Sequence, residues 1–289
     1  MEPRRYGPFP YTPINRRPKL KWPTGARVAV WVCPNIEVFA LNEPVPTGSG
    51  KVPDVPAWSL RDYGARVGIF RIMEVLSKRG IRATAALNAE VCDDYPQIVE
   101  DAVALGWEFL GHGQSNSRRL SDIPPETERQ VIYESLARVA KATGRRPRGW
   151  LGSGMMETWK SLEYFAGEGI EYVCDWNNAD QPYLMDIGGR RMVALPYSVE
   201  INDLPAMVHQ GRSSDEFEKM MRRQFDTLYR EGAESGRVMA IAVHPYVVGF
   251  PHRIWALESA LDYIRGHDAV WFATAEEIVD HYLRSGATF

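Results

Sequence analysis

From Arg27 onward, short apolar segments alternate with segments of helical periodicity, and this alternation is the feature that most constrains the fold. The apolar pattern of buried strands occurs near residues 28–33, 81–87, 107–111, 148–151, 172–174, 192–195, 238–243 and 269–273. Between most of these segments, apolar residues recur every three or four positions, as in amphipathic helices. Because no change of composition divides the series, we predict an α/β fold with a single (β/α) barrel of about seven parallel strands, spanning residues 27–289.

Two segments fall outside this alternation. Residues 1–26 contain six prolines with aromatic residues between them, so we predict an extended N-terminal arm that lies on its own barrel or on a neighbouring subunit. This arm leads us to expect a homo-oligomer. Residues 38–60 are rich in proline and glycine and too long for an ordinary βα connection, which makes them a candidate lid or substrate loop.

The composition excludes several classes of protein. Lys and Arg number 34 against 37 Asp and Glu, and no block of like charge predicts binding to nucleic acid or to a membrane surface. Charged residues interrupt every apolar run before it could span a bilayer, and the N-terminus lacks the apolar segment of a signal peptide. Cys33, Cys92 and Cys174 have no metal-binding spacing, and a reducing cytoplasm is the predicted location.

Polar residues follow the predicted strands at the positions where a parallel barrel opens to form its site. The clearest case is His244, which ends the apolar run at residues 238–243 and is followed by Pro245, a residue that stops the strand. The other strands are followed by a carboxylate, a second imidazole, amides and further polar or aromatic groups: Glu37, Asn35, Asn88, His112, Asn116, Ser153, Asp175, Trp176 and Tyr197. Their convergence predicts a hydrolytic or lyase-type site for a small molecule.

These residue types limit the chemistry. The chain has no phosphate-binding loop, and Cys174 and Ser153 lack a partner that the sequence can place, although either is a conceivable nucleophile. A carboxylate with one or two histidines suits the activation of water and the protonation of a leaving group, with or without a metal. A metal site would combine Glu37, His112 and Asn116, but an asparagine oxygen is a weak ligand for zinc.

Five stretches resemble the polysaccharide deacetylase superfamily (NodB homology, carbohydrate esterase family 4), and within it the allantoinase-type and cyclic-imide-hydrolase-type branch. They are DYGARVG (residues 62–68), GHG (111–113), RPRGW (146–150), PYSVEIND (196–203), and the strand ending at His244 together with HDAVWFA (267–273). The resemblance covers nearly all of residues 27–284. It implies a distorted (β/α) barrel that hydrolyses carbon–nitrogen bonds other than peptide bonds.

The family motifs map onto individual positions of this sequence. Where sugar deacetylases have two adjacent aspartates, the chain has Asn35 and Glu37, and where they have two histidines four apart it has His112 and Asn116. The histidine that protonates the leaving nitrogen corresponds to His244. The arginine found after the fourth strand in the allantoinase-type branch is absent from residues 152–155, so we expect a substrate other than allantoin.

We therefore predict a hydrolase of linear or cyclic amides, imides or ureides. Glu37 would deprotonate or orient the attacking water, His112 would position that water or polarise the carbonyl, and His244 would protonate the departing nitrogen. The predicted substrate-binding residues are Asn35, Asn88, Asn116, Ser153, Asp175, Trp176 and Tyr197. We expect no required cofactor; the alternatives are a deacetylase of N-acetylated sugars that uses one divalent metal such as zinc, and a non-catalytic barrel that binds a small ligand.

Overall fold

A curled sheet with helices around it organises the protein, whose structure, a computed structural model, describes residues 2–286. Within these residues nine strands form the sheet: β1 (Val28–Ile36), β2 (Thr84–Leu87), β3 (Glu108–Gly111), β4 (Gly149–Trp150), β5 (Tyr172–Val173), β6 (Tyr183–Ile187), β7 (Arg190–Ala194), β8 (Arg237–Val243) and β9 (Val270–Phe272). The helices are α1 (Val55–Tyr63), α2 (Ile69–Ser77), α3 (Val91–Asp94), α4 (Pro96–Ala104), α5 (Glu128–Thr143), α6 (Ser161–Gly167), α7 (Ser214–Gly232), α8 (Ile254–Arg265) and α9 (Ala275–Arg284).

The strand order is β6-β7-β5-β4-β3-β2-β1-β8, with β9 beside the first half of β1. Every neighbouring pair is parallel except β6 and β7, which form an antiparallel hairpin. The predicted distorted (β/α) barrel is confirmed, and the sequence pattern missed only β6. Gly188 and Gly189, both at positive φ, form the hairpin turn, and such a Gly-Gly pair between two strand-like runs is the signal that could have revealed it.

The two edge strands of the sheet are β6 and β8, and the chain that follows β7 crosses the open side between them to reach β8. Asn202 forms an isolated parallel bridge with Ala242, whose backbone N–H donates to the Ile201 carbonyl at 3.0 Å. The crossing segment therefore runs beside the end of β8. It places Asp203 next to His244.

Strands β1 and β8 form the centre of the core, and their register determines at which end of the barrel the site lies. All nine residues of β1 and all seven of β8 are buried, as expected for parallel strands covered on both faces. Their register pairs Val28 with Arg237 and runs to Pro34 with Val243. The residues just after these strands, including Glu37 and His244, therefore emerge at the same end of the barrel.

The helices begin and end for local reasons. A π-helical segment, Gly64–Gly68, joins α1 to α2, so the irregular part of the candidate lid ends at Asp54. Asp54 caps α1 by accepting the Ala57 N–H at 3.1 Å, and Pro56 lies in the first turn, a combination typical of a helix start. Capping boxes begin α7, where Ser213 pairs with Glu216, and α9, where Thr274 pairs with Glu277.

The N-terminal arm is extended, with short 3-10 turns at Ile14–Arg16 and Pro23–Gly25, and it lies on the barrel of its own chain. The Phe9 ring packs edge-to-face on Trp176 and Tyr183, and the Trp22 indole N–H donates to the Arg237 carbonyl at 2.8 Å. The expected homo-oligomer stays a prediction. No helix within residues 2–286 combines the length and apolar character that crossing a membrane requires.

Candidate active site

The three residues predicted to be catalytic come together at the carboxyl end of the sheet. Glu37 Oε1 lies 3.4 Å from His112 Nε2 and 3.6 Å from His244 Nε2. Their side chains are no more than 5% exposed, so water screens their charges little. A single carboxylate oxygen thus lies between two imidazole rings.

Glu37 is held as a carboxylate. Its burial alone would raise its pKa, but the positive charge of His244 outweighs burial and holds the pKa below its usual range. The other oxygen, Oε2, accepts a hydrogen bond from the Tyr246 hydroxyl at 2.7 Å. Tyr246, two residues after His244 in the same motif, is a site residue that the sequence analysis did not identify.

His244 is held as an imidazolium. Burial alone would lower its pKa, but the charges of Glu37 and Asp203 on either side of the ring raise the pKa to about 10. Its Nδ1 lies 2.7 Å from Asp203 Oδ1, and the Asp203 carboxylate also accepts the backbone N–H groups of His244 and Val248. The proton on Nε2 therefore faces Glu37. Asp203 lies in a stretch that carries the family resemblance, but no role was predicted for it.

His112 is fixed in one tautomer by the backbone. Its Nδ1 lies 2.6 Å from the Leu151 carbonyl, which can only accept, so the proton is on Nδ1 and Nε2 faces Glu37. The carbonyl of His112 accepts hydrogen bonds from Asn88 Nδ2 at 2.6 Å and Ser153 Oγ at 2.8 Å. Both side chains, predicted to bind substrate, thus hold His112 in this structure.

The remaining predicted amides and Tyr197 form hydrogen bonds within the protein. Asn88 accepts the Val38 N–H at 3.0 Å and donates to Asn116 Oδ1 at 3.1 Å, which joins the loops after β1, β2 and β3. Asn35 donates to the Tyr197 hydroxyl at 3.0 Å, and both are buried. Their predicted contact with substrate stays a prediction.

Asp175 and Trp176 lie on the β4–β5 side of the mouth. Asp175 Oδ1 accepts the Gly152 N–H at 2.7 Å, and the Trp176 indole N–H donates to Glu157 Oε1 at 3.2 Å. Trp176 also packs against Phe9 of the arm, with ring centroids 5.4 Å apart. One edge of its ring is therefore covered by the protein, and its predicted stacking on substrate stays a prediction.

The donor set for a metal is incomplete. Across residues 2–286, no three His, Cys, Asp or Glu side chains converge as metal ligands. In the predicted set of Glu37, His112 and Asn116, the Asn116 oxygen already accepts a hydrogen bond from Asn88. One carboxylate and one imidazole make a weak site for zinc, so the residues present do not fit the ion. The prediction that no cofactor is required stays a prediction.

This arrangement is suited to acid–base chemistry. An ionised carboxylate can take a proton from water, and an imidazolium beside it can donate a proton to a departing group. The opposite shifts of the two pKa values, both produced by the pairing itself, keep each group in the required form at neutral pH. The cluster can therefore provide a base and an acid on the same substrate.

Comparisons with known proteins agree with this chemistry. Residues 51–156 match the sequence model of the family described as "Polysaccharide deacetylase". A Schizosaccharomyces pombe protein described as "Putative polysaccharide deacetylase" is 29% identical over 234 residues, covering 75% of this chain and 73% of that protein.

Two solved structures are similar over nearly their full length. A "probable Polysaccharide deacetylase" from Pseudomonas aeruginosa PAO1 is 26% identical with a TM-score of 0.86, covering 95% of this chain and 97% of the other. Puue allantoinase is 26% identical with a TM-score of 0.85, covering 94% and 96%. The predicted resemblance is confirmed: residues 51–156 match the polysaccharide deacetylase model, and an allantoinase is among the structural neighbours. Members of that family are hydrolases that act on carbon–nitrogen bonds, in agreement with the predicted enzyme class.

Proposed function

We propose that the protein hydrolyses a carbon–nitrogen bond of a linear or cyclic amide, imide or ureide. The main support is the position of Glu37 Oε1, 3.4 Å from His112 Nε2 and 3.6 Å from His244 Nε2. Hydrolysis of carbon–nitrogen bonds follows from the family, and the substrate class is our proposal. The allantoinase among the similar structures and the incomplete metal donor set favour this class over N-acetylated sugars.

Each catalytic residue has a defined role in this proposal. Glu37 takes a proton from water while the water oxygen attacks the carbonyl carbon, and His112 Nε2 accepts the second hydrogen of that water to orient it. As the carbon–nitrogen bond breaks, His244 Nε2 donates its proton to the departing nitrogen. The proton on Glu37 then returns to His244 across the short gap between Oε1 and Nε2, which restores both groups.

A substrate panel run with and without a chelator tests this proposal. Hydantoins, succinimide-like imides, allantoin and N-acetylated chitooligosaccharides would be assayed with purified protein, with Glu37→Gln and His244→Ala as inactive controls. We expect turnover of an imide or ureide that survives removal of metals. Turnover of the sugars that is lost with the chelator would establish the metal-dependent deacetylase instead.

A non-catalytic barrel gives a third result. In that case no compound turns over, and His244→Ala leaves the binding of a panel compound intact. Binding by isothermal titration calorimetry, measured on the wild type and on both inactive variants, distinguishes this outcome from a missing substrate because an enzyme lacking its substrate would bind none of the panel.

We also propose a cytoplasmic homo-oligomer in which the arm contacts another copy of the chain. Tyr6 and Tyr11 of the arm are 53% and 77% exposed, a large fraction for aromatic side chains. Sedimentation velocity on the wild type and on a Tyr6→Ser, Tyr11→Ser double variant tests this. A monomeric wild type would contradict the proposal.

A further inference from the structure

Two half-buried residues, Glu157 and Asp175, bring their carboxyl groups into contact at the mouth of the barrel, where Asp175 Oδ2 is fully buried. No Lys or Arg within residues 2–286 forms an ion pair with either of them. The titratable groups that face them are Glu128 on α5, His112 after β3, Cys174 after β5 and Tyr183 on β6. Two touching carboxylates cannot both be ionised without a large electrostatic cost. The arrangement therefore requires a proton between them.

The hydrogen bonds of the two carboxyl groups indicate which oxygen atoms share that proton. Asp175 Oδ1 accepts the Gly152 N–H at 2.7 Å, whereas Oδ2 is buried and receives no hydrogen bond from the amides or hydroxyls of the described residues. Glu157 Oε1 accepts the Trp176 indole N–H at 3.2 Å. Burial raises the pKa of Asp175 to about 6, and burial with the Asp175 charge raises that of Glu157 well above its usual value. A protonated Glu157 is thus the donor that Asp175 Oδ2 lacks.

The backbone turn that Asp175 anchors is also the turn that fixes His112. Leu151 provides the carbonyl that holds His112 Nδ1 at 2.6 Å, and Ser153 Oγ donates to the His112 carbonyl at 2.8 Å. Gly152 lies between these two residues and is the one that Asp175 binds. A Cβ at position 152 would stand 3.4 Å from Asp175 Oδ2 and 3.0 Å from the Met156 carbonyl oxygen, so the turn is closely packed.

We infer that Glu157 and Asp175 share one proton and thereby position His112 through the turn formed by Leu151, Gly152 and Ser153. Loss of the proton at alkaline pH puts two negative charges in contact. Their repulsion separates the carboxyl groups and breaks the hydrogen bond that Asp175 accepts from the Gly152 N–H. The turn then moves, which weakens the hydrogen bond between His112 Nδ1 and the Leu151 carbonyl. Glu157 and Asp175 are thus positioning residues, and only their effect on turnover rests on the proposed function.

Variants of Glu157 distinguish a role in sharing the proton with Asp175 from a role in packing alone. In Glu157→Gln the side-chain amide donates to Asp175 Oδ2 as the protonated acid does, but it cannot ionise. In Glu157→Ala the donor is absent at every pH. Asp175→Asn is a second conservative variant, because its amide donates to an ionised Glu157 while its oxygen still accepts from Gly152. Glu126→Gln, an exposed acid before α5, is the matched control.

The test follows the His112 ring by NMR with 15N-labelled histidine, so it needs no substrate. The Nδ1–H signal of His112 is identified by its loss in His112→Gln. In the wild type and in Glu126→Gln we expect this signal at pH 6 and its weakening as the pH rises and the shared proton is lost. In Glu157→Gln it should persist over the whole range, and in Glu157→Ala it should be weak or absent already at pH 6.

Two results would overturn the inference: identical pH dependence in the wild type and Glu157→Gln, or a normal signal in Glu157→Ala. If Glu157→Gln does not fold, Asp175→Asn takes its place, with the same expected persistence at pH 9. A protein that shows the expected NMR behaviour but hydrolyses no compound of the panel would contradict the proposed function and leave this inference standing.

Discussion

His244 Nδ1 lies 2.7 Å from Asp203 Oδ1, and the two residues reach each other from different parts of the chain. His244 directly follows β8, whereas Asp203 follows the segment that runs from β7 across the open side of the sheet to β8. The same carboxylate accepts two backbone N–H groups, so it is held rigidly while it orients the ring. Asp203 therefore determines both the direction of the Nε2 proton and the charge state of His244.

Replacement of Asp203 by Asn should narrow the pH range of activity. With the pKa of His244 raised to about 10, the protonated acid is present at neutral pH and is lost as the pH rises through that value. Removing the Asp203 charge lowers this pKa, so the alkaline loss of activity moves to lower pH. At pH 7 we expect kcat to fall about 10- to 100-fold, less than the roughly 10²- to 10⁴-fold contribution of a positioned acid, because His244 itself is still present.

The pH–rate profile of kcat on a panel substrate measures this effect. Asp226→Asn, which alters a carboxylate bonded to the Tyr263 hydroxyl at the surface, is the control and should leave the profile unchanged. An alkaline limb at the same pH in Asp203→Asn and the wild type would show that His244 is not the proton donor.

Replacement of Tyr246 by Phe should reduce kcat about tenfold. The hydroxyl donates to Glu37 Oε2 at 2.7 Å, and hydrogen bonds to charged groups contribute about 1.5–3 kcal/mol. Without this bond the carboxylate turns more freely and is less often directed at the water. Because the change does not alter the ring, substrate binding should hardly change, whereas the free energy of unfolding should fall by about 1.5–3 kcal/mol. Steady-state kinetics with Tyr133→Phe, an exposed tyrosine of α5, as the control would detect the difference; an unchanged kcat would contradict it.

The sequence predicted those parts of the site that depend on strand ends. Glu37, His112 and His244 each follow a buried strand, and parallel strands direct such residues to the same end of a sheet, so their meeting could be expected. The same principle predicted the barrel, apart from the hairpin that adds β6.

The sequence could not predict contacts made by residues between the regular elements. Asp203 reaches His244 only because residues 195–202 cross the open side of the sheet, and no periodicity indicates that path. The pairing of Glu157 with Asp175 depends on the conformation of a tight turn, in which Gly154 and Met155 both have positive φ. Asn88 and Ser153 were predicted to bind substrate because a polar residue after a strand looks the same whether it binds a ligand or the backbone, and both donate to the His112 carbonyl.

Replacement of Glu108 by Gln should flatten the pH dependence of stability. Burial, with the nearby Glu276 carboxylate, raises the pKa of Glu108 to about 7, against about 4.3 in an unfolded chain. The folded protein therefore binds more protons than the unfolded chain between these values, and its stability falls as the pH rises through this window. Gln cannot ionise but still accepts hydrogen bonds from the Tyr172 hydroxyl and the Glu276 N–H.

Thermal unfolding between pH 5 and pH 8.5 tests this prediction. The wild type should lose more stability over this range than Glu108→Gln, whereas Glu126→Gln should behave like the wild type. Parallel curves for the wild type and Glu108→Gln would mean that Glu108 is ionised in the folded protein throughout the range.

Replacement of Trp22 by Phe tests how the arm is attached to the barrel. Trp22 is 3% exposed, and its indole N–H donates to the Arg237 carbonyl at the start of β8 at 2.8 Å. Phe keeps most of the packing against Trp271 but leaves the buried carbonyl without its donor, which costs about 1–3 kcal/mol. For a chain of this size we expect the melting temperature to fall by a few degrees. Trp255→Phe is the matched control, since Trp255 donates to the exposed His252 carbonyl, which water can reach. An equal shift in the two variants would mean that the loss comes from reduced ring size and that the buried hydrogen bond does not anchor the arm.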